Sequence, residues 1–349
     1  MIISIHPDRL GKQSYSEKWA LFLQQKGVKA NYVNLYKNDS LEQLRNSDGL
    51  MWRWNLEFPD RILAPTILDV IEHEIRIPVY PDYKMRYAWD DKIKQSYIFK
   101  TKGIKTPKTW IFWNEDDAMR WINSADFPLI FKFASGASSR NVYLIENKSE
   151  AILIIKNMFS SGIFTSQNLI EFMTKNVIKK FYYNFKNLAI DLRNIMFDHK
   201  KYISQIKNNL LQKHYVYFQE YISGNDFDTR VTIIGNRAFA FRRFNKSNDF
   251  RASGSGKIDY NIDEVNIAFI LTAFEISKKL GCSCIAYDFL LKKNTPVILE
   301  MCWTFNDEAV YKCPGHWNSD IKWIEGNMWP EEAQVEDFLQ RINQSTSQT

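Results

Sequence analysis

The chain has 349 residues, 45% of them hydrophobic and 25% charged, which is typical of a soluble globular protein. Its net charge of +6 is modest, so it permits an anionic ligand but does not by itself indicate nucleic-acid binding. The cysteines have no CxxC spacing and no nearby histidine ladder, which argues against a zinc site or a disulfide framework. Without a basic leader or a long apolar run, we expect a cytoplasmic protein.

Predicted strands and helices alternate along the first eighty residues. The strands are predicted at residues 2–5, 29–35, 49–54 and 77–80, and the helices at 16–26, 41–46 and 64–74. Such alternation with short connections indicates an open, largely parallel sheet that is covered on both faces. We therefore predict an N-terminal α/β domain over residues 1–88.

A compact α+β unit is predicted next. Its elements are a helix over residues 90–102, a strand over 110–112, a helix over 115–123, and strands over 129–133 and 142–145. A long helical stretch follows, and between Glu171 and Lys213 nine basic residues accompany three acidic ones. That excess equals the net charge of the whole chain, so the basic character is local. We assign residues 89–214 to a central subdomain with a basic helical insertion.

The basic segment over residues 171–213 has three interpretations. It can recognise an anionic glycan or the surface of a membrane through summed Coulomb attraction. It can equally be a solvated helical face. Interleaved aromatic residues, Phe181, Tyr182, Tyr183 and Phe185, raise a third interpretation, single-stranded nucleic-acid binding, which does not explain the buried acids described below and is therefore disfavoured.

The last third of the chain reads as an antiparallel subdomain over residues 215–327. Strands are predicted over residues 215–222, 229–234, 238–244, 284–291 and 297–302. The long helix before the last two strands is predicted to be capped by Asp263 and ended by Gly281. The final residues, 328–349, are polar and are expected to form a tail.

Lys132 ends an apolar strand directly before a loop of small residues that includes Gly136 and Ser138. A lone lysine there could simply extend along the surface from an edge strand. The loop favours phosphate binding, because glycine and serine let backbone N–H groups and hydroxyls close over phosphates. Lys92, near the start of a helix, cannot on its own be distinguished from a solvated lysine.

A second candidate site lies where the strand after residue 214 breaks into a glycine turn. Glu220, Tyr221 and Ile222 precede Gly224, and Asp228 follows. This segment could pair its backbone with adenine and present a carboxylate to ribose hydroxyls. The alternative is an ordinary hairpin.

Asp288 and Glu300 occupy inward-facing positions of two apolar strands. Burying two carboxylates is costly unless they are paired or hold a cation, and Mg²⁺ prefers such oxygen ligands together with nucleotide phosphates. A buried ion pair with Arg242 or Arg243 is the competing explanation. These two arginines and Arg251 flank a loop rich in glycine and serine, which suits either a polyanion or a developing acyl phosphate; a charged solvent loop is the alternative.

These motifs together resemble the ATP-grasp superfamily. The residues that carry the resemblance are Asp91 and Lys92, Phe131 and Lys132, residues 219–222, 228–230 and 248–251, Asp288 and Glu300. The chain looks most similar to the branch that contains the ribosomal-protein glutamate ligase, and also resembles ATP-grasp proteins encoded with surface-polysaccharide genes. The resemblance implies an α/β ATP-grasp fold, in which two α+β subdomains clamp ATP after the N-terminal domain.

The resemblance also implies roles for individual residues. Lys92 and Lys132 would contact the ATP phosphates. The adenine hinge would consist of Glu220, Tyr221 and Ile222, with Asp228 near the ribose. Two arginines, Arg251 and Arg230, would be catalytic, and Arg251 would steady the transferred phosphate. Asp288 and Glu300 would bind Mg²⁺.

One position departs from the family pattern. Family members usually carry Asn two residues after the metal-binding glutamate, where this chain has Cys302. A thiol is a poor ligand for Mg²⁺, which argues against a second metal ion.

We therefore expect an ATP- and Mg²⁺-dependent ligase that joins a carboxylate, from a sugar acid or an amino acid, to an amine through an acyl phosphate. Catalysis would be mainly electrostatic. A nucleotide-binding scaffold without turnover is an alternative function. Four aromatic residues could stack on sugar rings, although tryptophan in a strand is more often core: Trp52, Trp54, Tyr311 and Trp317.

Overall fold

A computed structural model describes residues 1–8, 14–56, 59–136, 141–165, 211–247 and 249–346. The chain divides into two compact units. The first comprises Met1–Trp89, Lys94–Thr106 and Gly224–Thr349, and the second comprises Asp90–Ile93 and Pro107–Ser223. Ser138 and residues 171–210 of the predicted basic segment lie outside the described residues. The division into subdomains at residues 88, 214 and 327 stays a prediction.

The N-terminal part of the first unit is a four-stranded parallel sheet in the order β2-β1-β3-β4. Its strands are β1 (Ile2–Ile5), β2 (Lys29–Tyr32), β3 (Gly49–Met51) and β4 (Val79–Tyr80). The intervening helices are α1 (Tyr15–Gln25), α2 (Ser40–Gln43) and α3 (Asp60–Val70), which continues into a π-helical turn (Ile71–Ile75). This confirms the predicted parallel α/β arrangement.

Helix α1 shows why these residues form these elements. Ser14 caps it by accepting a hydrogen bond from the Glu17 N–H at 3.2 Å, which satisfies one of the unpaired donors of the first turn. Trp19, Phe22 and Leu23 are buried, and their spacing of three and four residues places them on one face of the helix. Two short helices follow the parallel sheet, α4 (Tyr83–Arg86) and α5 (Lys92–Thr101).

The second unit has a four-stranded antiparallel sheet in the order β5-β10-β6-β7. Its strands are β5 (Thr109–Phe112), β6 (Leu129–Lys132), β7 (Val142–Ile145) and β10 (Val216–Glu220). The remaining elements of this unit are α6 (Glu115–Ile122), α7 (Lys148–Phe159), β8 (Ile163–Phe164) and β9 (Leu211–Gln212).

The C-terminal part of the first unit is a seven-stranded antiparallel sheet in the order β15-β14-β11-β12-β16-β17, with β13 paired to β12. Its strands are β11 (Phe227–Ile234), β12 (Arg237–Phe244), β13 (Ile258–Asp259), β14 (Cys284–Lys292), β15 (Thr295–Cys302), β16 (Gly315–Asn318) and β17 (Trp323–Glu325). Its helices are α8 (Ile267–Leu280), α9 (Asp307–Tyr311) and α10 (Pro330–Thr346).

Helix α8 covers one face of this sheet. The Phe269 and Phe289 rings lie 5.5 Å apart, and the Ser277 and Tyr287 hydroxyls are 2.8 Å apart. Because successive side chains of a strand point to opposite faces, Asp288, between Tyr287 and Phe289, points away from α8. The sequence therefore places a carboxylate on the face opposite this helix.

Two predictions about the C-terminal part were wrong. Helix α8 is capped by Asn266, whose side chain accepts from the Ala268 N–H at 2.9 Å, and Asp263 lies in a preceding 3₁₀ turn. The expected polar tail is helix α10, in which Phe338 and Ile342 are buried. Its apolar stripe is narrow, and polar residues on the other faces concealed it. No helix among the described residues is long and apolar enough to cross a membrane.

Candidate nucleotide and metal sites

The second unit brings Lys92 and Gly136 together, although they are 44 positions apart. The Lys92 Nζ donates to the Gly136 carbonyl oxygen at 2.7 Å, and its backbone N–H donates to the Ala134 carbonyl at 2.8 Å. The Gly136 N–H in turn donates to Asp90 Oδ1 at 2.7 Å. The start of α5 therefore holds the small-residue loop by three contacts. Contact of either residue with ATP stays a prediction.

Only glycine fits at position 136. Its φ is 118°, a conformation that side chains rarely adopt. A Cβ there would lie 2.0 Å from the Asn141 Nδ2, and Asn141 is fixed by its hydrogen bond to the Ser135 carbonyl at 2.9 Å. The Asn141 amide therefore requires glycine here, and binding of a phosphate by this loop stays a prediction.

Lys132 is the last residue of β6, and only 6% of it is exposed. Strand β6 lies between β10 and β7, so Lys132 is on a central strand. The alternative of a lysine extending from an edge strand is therefore wrong. A buried cation next to the small-residue loop remains consistent with a phosphate ligand.

The predicted adenine segment lies where the chain passes from one unit to the other. Glu220 ends β10, its N–H donates to the Lys108 carbonyl at 2.8 Å, and its Oε2 accepts from the Lys108 N–H at 3.1 Å. The half-buried Tyr221 and Ile222 follow, and Gly224 has a φ of 79°. Since β10 and β11 belong to different sheets, the alternative of an ordinary hairpin is wrong. A role in binding adenine stays a prediction.

A buried network of two aspartates and two arginines lies on the seven-stranded sheet. Arg230 is the cross-strand neighbour of Asp288 and pairs with it through two bonds, Nε to Oδ1 at 2.7 Å and Nη2 to Oδ2 at 2.8 Å. The Arg243 Nη2 also contacts Asp288 Oδ2 at 2.8 Å. Arg243 pairs with Asp228 as well, at 2.7 and 2.6 Å. Two predicted site residues, Asp288 and Arg230, are thus direct partners.

The charges of this network are strongly coupled. Burial alone would raise the pKa of Asp288, but the guanidinium groups of Arg230 and Arg243 hold that pKa below its ordinary range. Burial raises the pKa of Asp228 despite its pairing with Arg243. Burial would lower the pKa of Arg243, whereas Asp288 and Asp228 raise it. Asp288 is therefore negatively charged, and its charge is matched by the two arginines.

The competing explanation for Asp288 was a buried ion pair with Arg242 or Arg243. Asp288 forms this ion pair with Arg243. Neighbouring residues of β12 point to opposite faces, so Arg242 instead pairs with Asp259 and Glu264. Arg251 pairs with Asp249, at 2.7 Å between Nη2 and Oδ2, and this hydrogen bond lowers the pKa of Asp249. The three arginines thus pair with different carboxylates, and the phosphate-steadying role of Arg251 stays a prediction.

Glu300 lies directly opposite Asp288 in the pairing of β15 with β14. Side chains of such cross-strand pairs share one face of the sheet, with Cβ atoms about 5 Å apart. Among the described residues, no group of three or more His, Cys, Asp or Glu side chains could hold a metal ion. Mg²⁺ typically takes one or two carboxylates and completes its coordination with water and phosphate oxygens. Both Asp288 oxygens already accept hydrogen bonds from guanidinium groups, so binding of Mg²⁺ by Asp288 and Glu300 stays a prediction.

Cys302 cannot supply the missing amide ligand. Its Sγ lies 3.0 Å from the Thr304 Oγ1, and burial raises the pKa of its thiol. The thiol is therefore neutral at physiological pH and a poor partner for a hard cation. The expectation of a single metal ion stays a prediction.

Sequence reasoning missed Gln95. Its side chain is buried and clasps the backbone of Met301, donating from Nε2 to the Met301 carbonyl at 2.9 Å and accepting at Oε1 from the Met301 N–H at 3.1 Å. It also donates to the Ala88 carbonyl at 3.0 Å. Met301 lies between Glu300 and Cys302, so Gln95 positions the strand that carries the candidate metal ligand. The only feature of the sequence that could have identified Gln95 was its position as a polar residue on the inward face of a predicted helix.

Comparisons with known proteins agree with this fold. Residues 89–189 match the family described as a RimK-like ATP-grasp domain, whereas no curated protein matches the sequence. A RimK domain protein from Sphaerobacter thermophilus is similar in structure, with 13% identity and a TM-score of 0.55 over 97% of this chain and 100% of that one.

Two further solved structures are comparably similar. The D-alanine–D-alanine ligase from Bacillus anthracis has 13% identity and a TM-score of 0.56, over 99% of this chain and 98% of that one. The N5-carboxyaminoimidazole ribonucleotide synthetase from Thermotoga maritima has 12% identity and a TM-score of 0.56, over 97% of this chain and 75% of that one. The predicted cofactors, ATP and Mg²⁺, are those of ATP-grasp enzymes, and the family match supports an ATP-dependent ligase. The chain thus has the ATP-grasp fold, and its residues 89–189 are similar to a RimK-like ATP-grasp domain, in agreement with the predicted superfamily.

Proposed function

We propose that the protein is an ATP- and Mg²⁺-dependent ligase that joins a carboxylate to an amine through an acyl phosphate. The observation that carries the proposal is the attachment of Lys92 to the Gly136 loop, with Nζ 2.7 Å from the Gly136 carbonyl. This contact places a cation beside a loop that accepts no side chain at Gly136. Such a loop suits the phosphates of a nucleotide.

The reaction needs no nucleophilic side chain. A carboxylate oxygen of the substrate attacks the γ-phosphorus, and the bond from that phosphorus to the oxygen of ADP breaks. The amine nitrogen then attacks the acyl carbon, and inorganic phosphate leaves with the bonding electron pair. Negative charge moves between oxygens in both steps, so fixed cations are the main source of catalysis.

Each group of residues has a proposed part in these steps. In the second unit, Lys92 and Lys132 neutralise the phosphates and the backbone of residues 220–222 holds the adenine. In the first unit, Asp288 and Glu300 hold the Mg²⁺, whose chemistry is to neutralise phosphate oxygens. Arg230 and Arg251 stabilise the transferred phosphoryl group, and Asp228 lies near the ribose.

The finer parts of the proposal concern substrates and setting. We propose a sugar acid or an amino acid as the carboxylate, a role in surface-polysaccharide biosynthesis, and a cytoplasmic location. The basic segment over residues 171–213 would then contact an anionic glycan or a membrane surface. Since exposed charges are screened over about 10 Å at 0.1 M salt, such contact should weaken steeply as salt is added.

A nucleotide-binding protein without turnover is the second candidate function. Both oxygens of Asp288 accept hydrogen bonds from guanidinium groups, and the position two residues after Glu300 is a thiol. These observations favour a site that binds ATP but does not turn it over. Release of ADP in the presence of a carboxylate and an amine separates the two functions.

The phosphate contact can be tested by measuring Mg-ATP binding calorimetrically. Lys92→Ala removes the candidate cation, and Lys100→Ala, at an exposed position of the same helix, is the matched control. A hydrogen bond to a charged group contributes about 1.5–3 kcal/mol, so the affinity of Lys92→Ala should fall about 10- to 100-fold. The affinity of Lys100→Ala should equal that of the wild type. Equal affinities for all three proteins would contradict the proposal.

A further inference from the structure

Arg53 lies at the carboxyl end of a parallel strand. It follows β3 by two residues, between Trp52 and Trp54. In the strand order β2-β1-β3-β4, the chain passes from β1 to β2 on one side and then crosses to β3 on the other side of β1. The topological switch therefore lies between β1 and β3. Crevices outside the carboxyl ends of strands at such a switch are where open α/β sheets bind ligands.

Among the described residues, the contacts of Arg53 include no carboxylate. Its guanidinium carbon lies 4.8 Å from the centre of the Tyr15 ring, and its Nη1 is 3.5 Å from the Trp54 carbonyl oxygen, at the limit of a hydrogen bond. Its Nε is shielded from solvent and has no hydrogen-bond partner in the described part of the chain. No carboxylate among the described residues pairs with Arg53, whereas the buried Arg86 and Arg243 both have such partners.

The surroundings of Arg53 are rigid. The Tyr15 hydroxyl donates to the Phe305 carbonyl at 2.8 Å, which fixes the ring beneath the guanidinium. The Trp54 ring lies 4.6 Å from the Trp303 ring, and both indole N–H groups are buried without a partner among the residues that the structure describes. Trp303 comes three residues after Glu300, so the Arg53 loop packs beside the end of the strand that carries the candidate metal ligand.

We propose that Arg53 binds a carboxylate group of the substrate. An arginine presents paired N–H donors that match the two oxygens of a carboxylate, and a buried donor without a partner costs about 1–3 kcal/mol that such an acceptor would offset. Lys18, in the same helix as Tyr15, is by contrast paired with the carboxylate of Asp307. Each end of a dicarboxylate such as succinate carries one negative charge, which a single guanidinium matches better than a phosphate dianion. This inference rests on the proposed ligase function, since it names a contact of that enzyme's substrate.

The Arg53 side chain can be observed directly by NMR of its Nε–H group in ¹⁵N-labelled protein. The signal is assigned as the one that disappears in Arg53→Lys, and Arg45→Lys assigns a matched, exposed arginine of the same domain. The probes are succinate and inorganic phosphate, at equal ionic strength and without nucleotide. We expect succinate to shift the Arg53 signal in a saturable way and to leave the Arg45 signal unchanged.

Three results would overturn the proposal: no shift with either probe, a shift with phosphate but not with succinate, or equal shifts of the Arg53 and Arg45 signals. The binding of Mg-ATP, measured on the same samples, keeps this inference separate from the proposed function. Succinate bound at Arg53 in a protein that binds no ATP would refute the ligase while leaving the carboxylate site intact. If ATP binds but succinate does not shift the Arg53 signal, the carboxylate site is refuted and the proposed ligase function is left intact.

Discussion

Glu331 provides a sharp test of the electrostatics of the first unit. It lies in the first turn of α10, and its side chain is fully buried. The Lys18 Nζ is 3.4 Å from its Oε1 and also pairs with Asp307. Burial, and after it the negative charge of Asp307, raises the pKa of Glu331 from its ordinary 4.5 to about 8. The folded protein therefore holds a proton at neutral pH that the unfolded chain releases.

The sign and size of the effect follow from this difference in pKa. Between about pH 4.5 and pH 8 the folded state binds more protons than the unfolded state, so the free energy of unfolding falls as the pH rises. At about 1.4 kcal/mol for each tenfold change in proton affinity, the full loss is at most about 5 kcal/mol. Glu331 therefore does not lower the free energy of unfolding below about pH 4.5, and it lowers that free energy by the full amount above about pH 8.

Glu331→Gln replaces the protonated carboxyl by a neutral group of the same shape. The free energy of unfolding, measured with urea and tryptophan fluorescence at several pH values between 5 and 9, should be similar in variant and wild type at the acidic end. At the alkaline end the variant should be more stable by several kcal/mol. Glu332→Gln, in the same turn, controls for the loss of a carboxylate from the helix start. A difference between Glu331→Gln and wild type that stays constant with pH would refute the reasoning.

Three further predictions follow from the sites. Gly136→Ala should weaken Mg-ATP binding at least about 10-fold, because the added Cβ meets the Asn141 amide and the φ of 118° is strained; unchanged affinity in calorimetry would contradict it. Asp228→Ala should destabilise the protein by about 1–3 kcal/mol in urea unfolding, because the buried Arg243 keeps Asp288 as a partner but loses the two hydrogen bonds to Asp228; a change within about 0.5 kcal/mol, as at ordinary surface positions, would be inconsistent. Glu300→Gln should slow ADP release at saturating ATP far more than it weakens ATP binding, because Mg²⁺ matters most where charge moves; an unchanged rate would remove Glu300 from the site.

Much of the fold could be predicted because its signals are local. Apolar runs between short connections gave β1, β3 and β4 and the parallel sheet. The αL glycine that ends α8, Gly281 with a φ of 69°, was predicted from its position after the last apolar residue. The cap of the same helix was not, because Asp263 and Asn266 are both good N-caps and only the extended Val265 between them decides in favour of Asn266.

The candidate site was predictable by residue type but not by partner. Alternation along a strand shows that Asp288 and Glu300 face one side, but it does not give the register that pairs Asp288 with Arg230. The bridging of Arg243 between Asp228 and Asp288 depends on three strands meeting, which no local pattern shows. Gln95 was missed for the same reason, since its partner Met301 lies 206 positions away.

The central claim is that ATP drives the activation of a carboxylate as an acyl phosphate. The most direct measurement mixes the protein with Mg-ATP, a sugar acid or an amino acid, and hydroxylamine, and quantifies ADP and hydroxamate together. The account predicts equal amounts of the two products with at least one acid, and neither product with Lys132→Ala. ATP binding without ADP release above the acid-free blank, for every acid tested, would contradict the account and leave a nucleotide-binding scaffold.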